Sequence, residues 1–179
     1  IPERCQVPID EQTRLLETLV GLQTATEAGE ALTHGLEGLL AFAGGEAGIG
    51  VWFQAEELDV IAKVGEVGSG TLAGVREACQ SWCRAATGPA IVGRSEADQE
   101  LQYWLAAESF FMIPLGRPDA FKGCLVAGLS GGRACTAEML AVLQCAGEAL
   151  GVVVECVALR SRVRRQILLT QTLFDVSQA

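Results

Sequence analysis

The sequence holds one histidine, one tyrosine, two methionines and five prolines in 179 residues, and aromatic residues make up 6% of it. One histidine cannot supply the histidine clusters on which many catalytic metal sites are built. No C-x-x-C pair occurs among the seven cysteines, which removes the zinc-finger and thioredoxin-like patterns. Positive charge is scarce too: Lys and Arg number 13 against 22 acidic residues, a net charge of −9. That balance argues against a nucleic-acid face and against an anionic membrane surface. There is no signal peptide and no apolar run of about 18 residues, so the sequence predicts no membrane span, and its cysteine usage fits a reducing cytoplasm. Internal repeats and low-complexity tracts are absent as well.

What the chain has in quantity is hydrophobicity, at 50% of residues. That is enough for one well-packed domain with an extension. The cysteines (Cys5, Cys79, Cys83, Cys124, Cys135, Cys145, Cys156) are odd in number and scattered through apolar stretches. They read as free, small hydrophobes in a reducing compartment. Arg160, Arg162, Arg164 and Arg165 are the one basic cluster. On a helix they point around much of the circumference, as a solvated or partner-facing collar.

Residues 1–9 hold two prolines and no period, which predicts a linker. Asp10 is placed to cap a helix through Leu22 with Leu15, Leu16, Leu19 and Leu22 on one face, and Thr24 or Thr26 to cap a second ending at Gly44-Gly45. A hairpin follows, Ala47–Gln54 with Leu58–Val64. Its Gly48, Gly50 and Trp52 share a face that suits a close helix or a cavity walled by Trp52. Leu72–Ala86 reads as a helix, Ala90–Val92 as a short strand and Glu100–Ala107 as a short helix. Ser109–Leu115 and Phe121–Leu129 form a central hairpin around Gly116-Arg117-Pro118-Asp119. Thr136 then caps a helix of some 40 residues, far longer than the globular average. The expectation is an α+β fold: one antiparallel sheet, helices on both faces, and a long C-terminal helix. The domain is placed at residues 10–158 and a helical extension at 159–179. Because the chain starts at Ile1 and stops inside a helical pattern, a piece of a longer protein with an output domain is expected.

This order resembles the GAF domain over about Glu27 to Arg160. Gly48–Gln54 with Leu58–Val64 looks like that family's first hairpin, and Ala85–Val92 (AATGPAIV) like its helix, Thr-Gly-Pro, short-strand junction. Ser109–Leu115 (SFFMIPL) looks like its Ser-apolar-x-x-x-Pro-Leu strand, and Gly123–Leu129 with Thr136-Ala137-Glu138 like its closing strand and helix. The resemblance implies an input module of a signalling or transcription-regulatory protein. It also implies a ligand position between the sheet and the loop-helix segment before the central hairpin. The Asn-Lys…Phe-x₃-Asp-Glu pattern of the cyclic-nucleotide binders is missing, as are the cysteine motifs of the bilin carriers.

Against that frame the ligand-binding candidates are Trp52, Cys79, Cys83, Arg94, Tyr103, Trp104 and Met112. The aromatics offer stacking surfaces and Arg94 a guanidinium for a carboxylate or phosphate. Each also reads as core packing, or for Arg94 as a surface residue beside Glu96 and Asp98. His34 reads as structural. Cys79 and Cys83, at i and i+4, share a helical face. With Cys124 they could converge on one cavity, as in the free methionine sulfoxide reductases of the family, although the spacing departs from theirs and no acid or base stands beside them. No catalytic residue, metal ligand or identified cofactor emerges. The final helix carries Leu150, Val153, Val157, Val163, Ile167 and Phe174 as candidate dimer and output positions, with Val163, Ile167, Thr170 and Phe174 at 4-3-4 spacing as a coiled-coil seam. The functional expectation is a small-molecule- or redox-sensing domain, homodimeric through its terminal helices and free of nucleic acid and membrane. The alternatives are a ligand-free dimerisation module and a cysteine-dependent oxidoreductase.

Overall fold

The structure is a computed structural model that describes residues 9–53, 60–68, 71–86, 88–93, 97, 99–117, 120–129 and 136–178. The elements are α1 (Ile9–Gly21), a 3-10 turn (Leu22–Thr24), α2 (Ala28–Ala43), β1 (Ala47–Trp52), β2 (Val60–Val64), α3 (Leu72–Ala85), β3 (Ala90–Gly93), α4 (Gln99–Trp104), β4 (Ser109–Arg117), β5 (Ala120–Leu129) and α5 (Ala137–Gln178). The five strands form one sheet in the order β2-β1-β5-β4-β3, with every neighbouring pair antiparallel. The first and last helices of the body cover one face and the middle helices the other. This is the α+β arrangement that the sequence predicts.

Alternation along the strands divides the core in two. Trp52, Ile113, Leu115 and Leu125 point to the face under α1, α2 and α5. Ile49, Val51, Met112, Cys124 and Val126 point to the face under α3 and α4. The glycines of β1 take the close helix rather than the cavity. A Cβ at Gly50 would lie 3.0 Å from Leu32 Cγ, and one at Gly48 would lie 2.9 Å from Leu36 Cδ1. Thus α2 lies directly on the strand.

The helix starts differ from the sequence expectation. Helix α1 opens at Ile9, so Asp10 is inside it rather than capping it, and only Leu15, Leu19 and Leu22 of its stripe are buried; Leu16 is 62% exposed. The cap of α2 is Glu27, not Thr24 or Thr26, and its side chain makes no capping bond. Instead the Thr26 amide donates to Glu30 Oε2 at 2.9 Å, which holds the Glu30 carboxyl below the usual carboxylate range. Thr136 does cap α5, accepting from the Met139 amide at 3.1 Å. An 18-residue stretch of α5 reaches a mean hydropathy of 1.8, long and apolar enough on composition alone to cross a membrane, but 39% of it is buried in the protein. Met139, Leu143, Leu150, Val154 and Val157 are part of the core, which accounts for the hydropathy.

Candidate functional site

Three thiols meet between α3 and β5. The i, i+4 spacing puts Cys79 and Cys83 on the face of α3 that packs on the sheet, opposite Cys124, and all three are buried. The Cys83 thiol donates to the Gly123 carbonyl at 3.5 Å, and that of Cys124 to the Leu125 carbonyl at 3.5 Å. Burial, and then the neighbouring Cys79 and Cys83, push the Cys124 thiol well above its ordinary range. It stays protonated and is a poor nucleophile. Among the described residues no group of three or more His, Cys, Asp or Glu could hold a metal ion.

The same core holds Trp104, at the C-terminal end of α4 and 1% exposed. Two groups pin it. The Gly68 amide donates to the Trp104 carbonyl at 2.8 Å, and Lys63 Nζ lies 4.0 Å from its ring centroid. Yet the buried Trp104 Nε1–H finds no acceptor among the described residues. A buried donor left unpaired costs about 1–3 kcal/mol, so an acceptor brought in by a ligand would be favoured there.

Not all of the predicted pocket residues come together. Cys79, Cys83, Trp104 and Met112 share the core under α3 and α4. Trp52 does not: it belongs to the opposite core, its ring against the Gly123 position of β5, because it alternates with Val51 and Phe53. Tyr103 is 74% exposed, one residue out of phase with buried Trp104 on α4. Arg94 lies outside the described residues. Lys63 was not among the predicted residues; the signal for it is a lone cation in an apolar strand, two residues from Ile61 and so on the same face of the sheet, the one that carries Trp104.

On α5, Leu150 and Val157 are 0% and 1% exposed inside this chain's own core. They therefore leave the predicted dimer face. Leu150 Cδ1 lies 2.6 Å from where a Gly35 Cβ would be, so α2 and α5 touch through that glycine. Val153 is half-buried, while Val163, Ile167 and Phe174 are 53%, 52% and 61% exposed. His34 is exposed on α2. The Lys122–Glu155 ion pair ties β5 to α5, and Ser161 Oγ donates to Glu27 Oε2 at 3.2 Å at the edge of the domain.

No protein-family model matches the sequence, and no curated protein matches it. Solved structures do match by fold. The bacteriophytochrome RpBphP3 of the photosynthetic bacterium R. palustris has a TM-score of 0.64 at 11% identity over 93% of this chain. The alignment spans 42% of that protein's length. The phycoerythrobilin-bound GAF domain of a cyanobacterial phytochrome matches over 89% of this chain and 100% of its own, with a TM-score of 0.59 and 15% identity. Free methionine-R-sulfoxide reductase from Neisseria meningitidis, in complex with its substrate, matches over 86% and 91%, with a TM-score of 0.62 and 17% identity. The fold is GAF-like, and it is shared here by photosensory proteins and an enzyme.

Proposed function

From this GAF-like fold we propose that the chain is the input module of a cytoplasmic multidomain signalling or transcription-regulatory protein. It binds a small molecule, or reads redox state, under α3 and α4 and passes the change to paired α5 helices. The observation that carries the reading is the buried Trp104 Nε1–H, without an acceptor among the described residues, in the core that also holds the three thiols. Alternation on β5 supplies the route: Cys124 faces α3 and its neighbour Leu125 faces α2 and α5. A ligand drives output only if it binds one arrangement of the helix pair better than the other.

Native mass spectrometry of freshly purified protein, with an absorbance spectrum of the same sample, tests this. A dimer carrying added mass, or absorbance beyond 300 nm, is expected. Trp104→Phe should weaken retention of the added mass by about ten-fold, the worth of one hydrogen bond, without lowering the stability of the ligand-free protein. A dimer that carries nothing, in lysate as after purification, would leave a ligand-free dimerisation module.

The convergence of Cys79, Cys83 and Cys124 favours a second, lesser reading, a thiol oxidoreductase. The protonated state of Cys124 and the lack of any buried polar or charged side chain among the described residues speak against it. Turnover of free methionine sulfoxide that disappears in Cys83→Ser or Cys124→Ser would establish it.

A further inference from the structure

From residue 162 to 177 every residue of α5 is exposed. At 3.6 residues per turn, Val152, Cys156, Leu159, Val163, Ile167, Thr170 and Phe174 fall within about 40° of one line along the helix. All seven are exposed, and their spacing of 4-3-4-4-3-4 repeats after 11 residues, Val152 to Val163 to Phe174. The core residues Leu143, Leu150, Val154 and Val157 lie about 120–180° away, on the opposite side of the same helix. Toward the domain the line enters an apolar groove of about 320 Å³ between α1 and α5, lined by Leu15, Leu16, Leu19, Cys145 and Ala149.

We infer that this stripe is the seat of a second copy of the chain, α5 against α5, parallel and in register, following an 11-residue rather than a 7-residue repeat. The inference rests on the paired output helix proposed above. Three features select this occupant. In register each seam residue meets its own copy, and none of the seven is charged. Between Val152 and Arg165 the stripe is narrow: Arg160 and Arg164 flank it on one side and Glu155 and Arg162 on the other, about 60–100° round, and only past Arg165 do exposed Leu168, Leu169, Leu173 and Val176 widen the apolar surface. A seam of that width fits one helix, whereas a membrane surface or a globular core needs a broader apolar face. With the groove included, the face is about 50 Å long, and at a helix-contact width of about 10 Å it offers on the order of 1,000 Å² over both partners, the threshold for a stable interface.

The period has a consequence. A 7-residue seam through Val163 and Ile167 would run back through Arg160, Cys156 and Val153, placing a guanidinium at its centre. The 11-residue seam runs through Leu159, Cys156 and Val152 instead, and leaves the two helices almost straight with a slight right-handed twist.

Oxidative cross-linking of the full chain separates these geometries. With Cys5, Cys135 and Cys145 changed to Ser and the buried thiols kept, copper-phenanthroline should give a covalent dimer through Cys156. With Cys156→Ser added, Leu159→Cys should restore the covalent dimer and Arg160→Cys should not. Cross-linking through Arg160→Cys and its loss at Leu159→Cys would overturn the 11-residue seam while leaving a dimer. Sedimentation of the unmodified chain as a monomer at the same concentration would instead overturn the paired helix itself.

Discussion

Cys124 is buried beside the Cys79 and Cys83 side chains, with a strand carbonyl as its acceptor, and burial first and then those neighbours disfavour its thiolate. Its raised folded-state titration has a definite sign. Unfolded, the thiol releases its proton near pH 8.5–9, while folded it still holds it. The folded chain therefore binds more protons above that pH, and the stability that is complete below it declines as pH rises further. Urea midpoints measured from pH 7 to pH 10 should fall more steeply for the native sequence than for Cys124→Ala. Equal slopes would show that Cys124 ionises as freely in the fold as outside it. Trp104 is the other residue whose chemistry depends on burial. Its indole was readable in the sequence as a large group near a pocket, but its missing acceptor was not, because that depends on which strand atoms surround it.

Each long element here does two things with two faces, and the sequence discloses some of those faces better than others. The turns, the central hairpin and the length of α5 were legible because Gly, Pro and apolar runs are local signals. Placing Trp52 was not, because both faces of this sheet are covered and alternation between two apolar faces leaves no polar mark. Leu16 was misplaced for a related reason: it adjoins Leu15, and only the docking of α1 decides which of the two is buried. On α5 the division of faces is testable. Gly147 and Gly151 let the helix lie against the end of β4; a Cβ at Gly151 would lie 2.5 Å from the Gly116 amide nitrogen. Gly151→Ala should therefore destabilise the fold by about 1–3 kcal/mol, because the clash is with backbone that cannot rotate away. Val163→Ser, on the exposed side, should leave the denaturation midpoint of dilute protein unchanged and weaken only self-association. A comparable loss of midpoint in both variants would mean that the two faces of α5 are not separate.

At the scale of the whole molecule, charge opposes what the apolar stripe favours. The chain carries −9 overall, yet residues 160–165 hold four arginines. In a parallel, in-register pair the two acidic bodies lie at the same end and the two arginine collars at the same height. Every one of these relations is like against like. Opposed guanidinium groups about 10 Å apart repel by about 0.4 kcal/mol in unscreened water and about 0.15 kcal/mol at 0.1 M salt; Arg165 points away from the seam, so the Arg160, Arg162 and Arg164 pairs together cost about 0.5 kcal/mol at 0.1 M, or roughly two-fold in the dimer constant. Salt removes most of that, since the screening length falls from about 10 Å at 0.1 M to about 3 Å at 1 M. Apolar burial along the stripe is not weakened by the same change. Dimerisation should therefore tighten by about two-fold between 0.1 M and 1 M sodium chloride, as measured by sedimentation equilibrium. In Arg164→Gln the gain should be smaller, because the repulsion to be screened is smaller. A dimer that loosens with salt would mean that opposite charges hold it together, and such charges meet only if the helices are offset or the bodies contact each other through their few basic side chains.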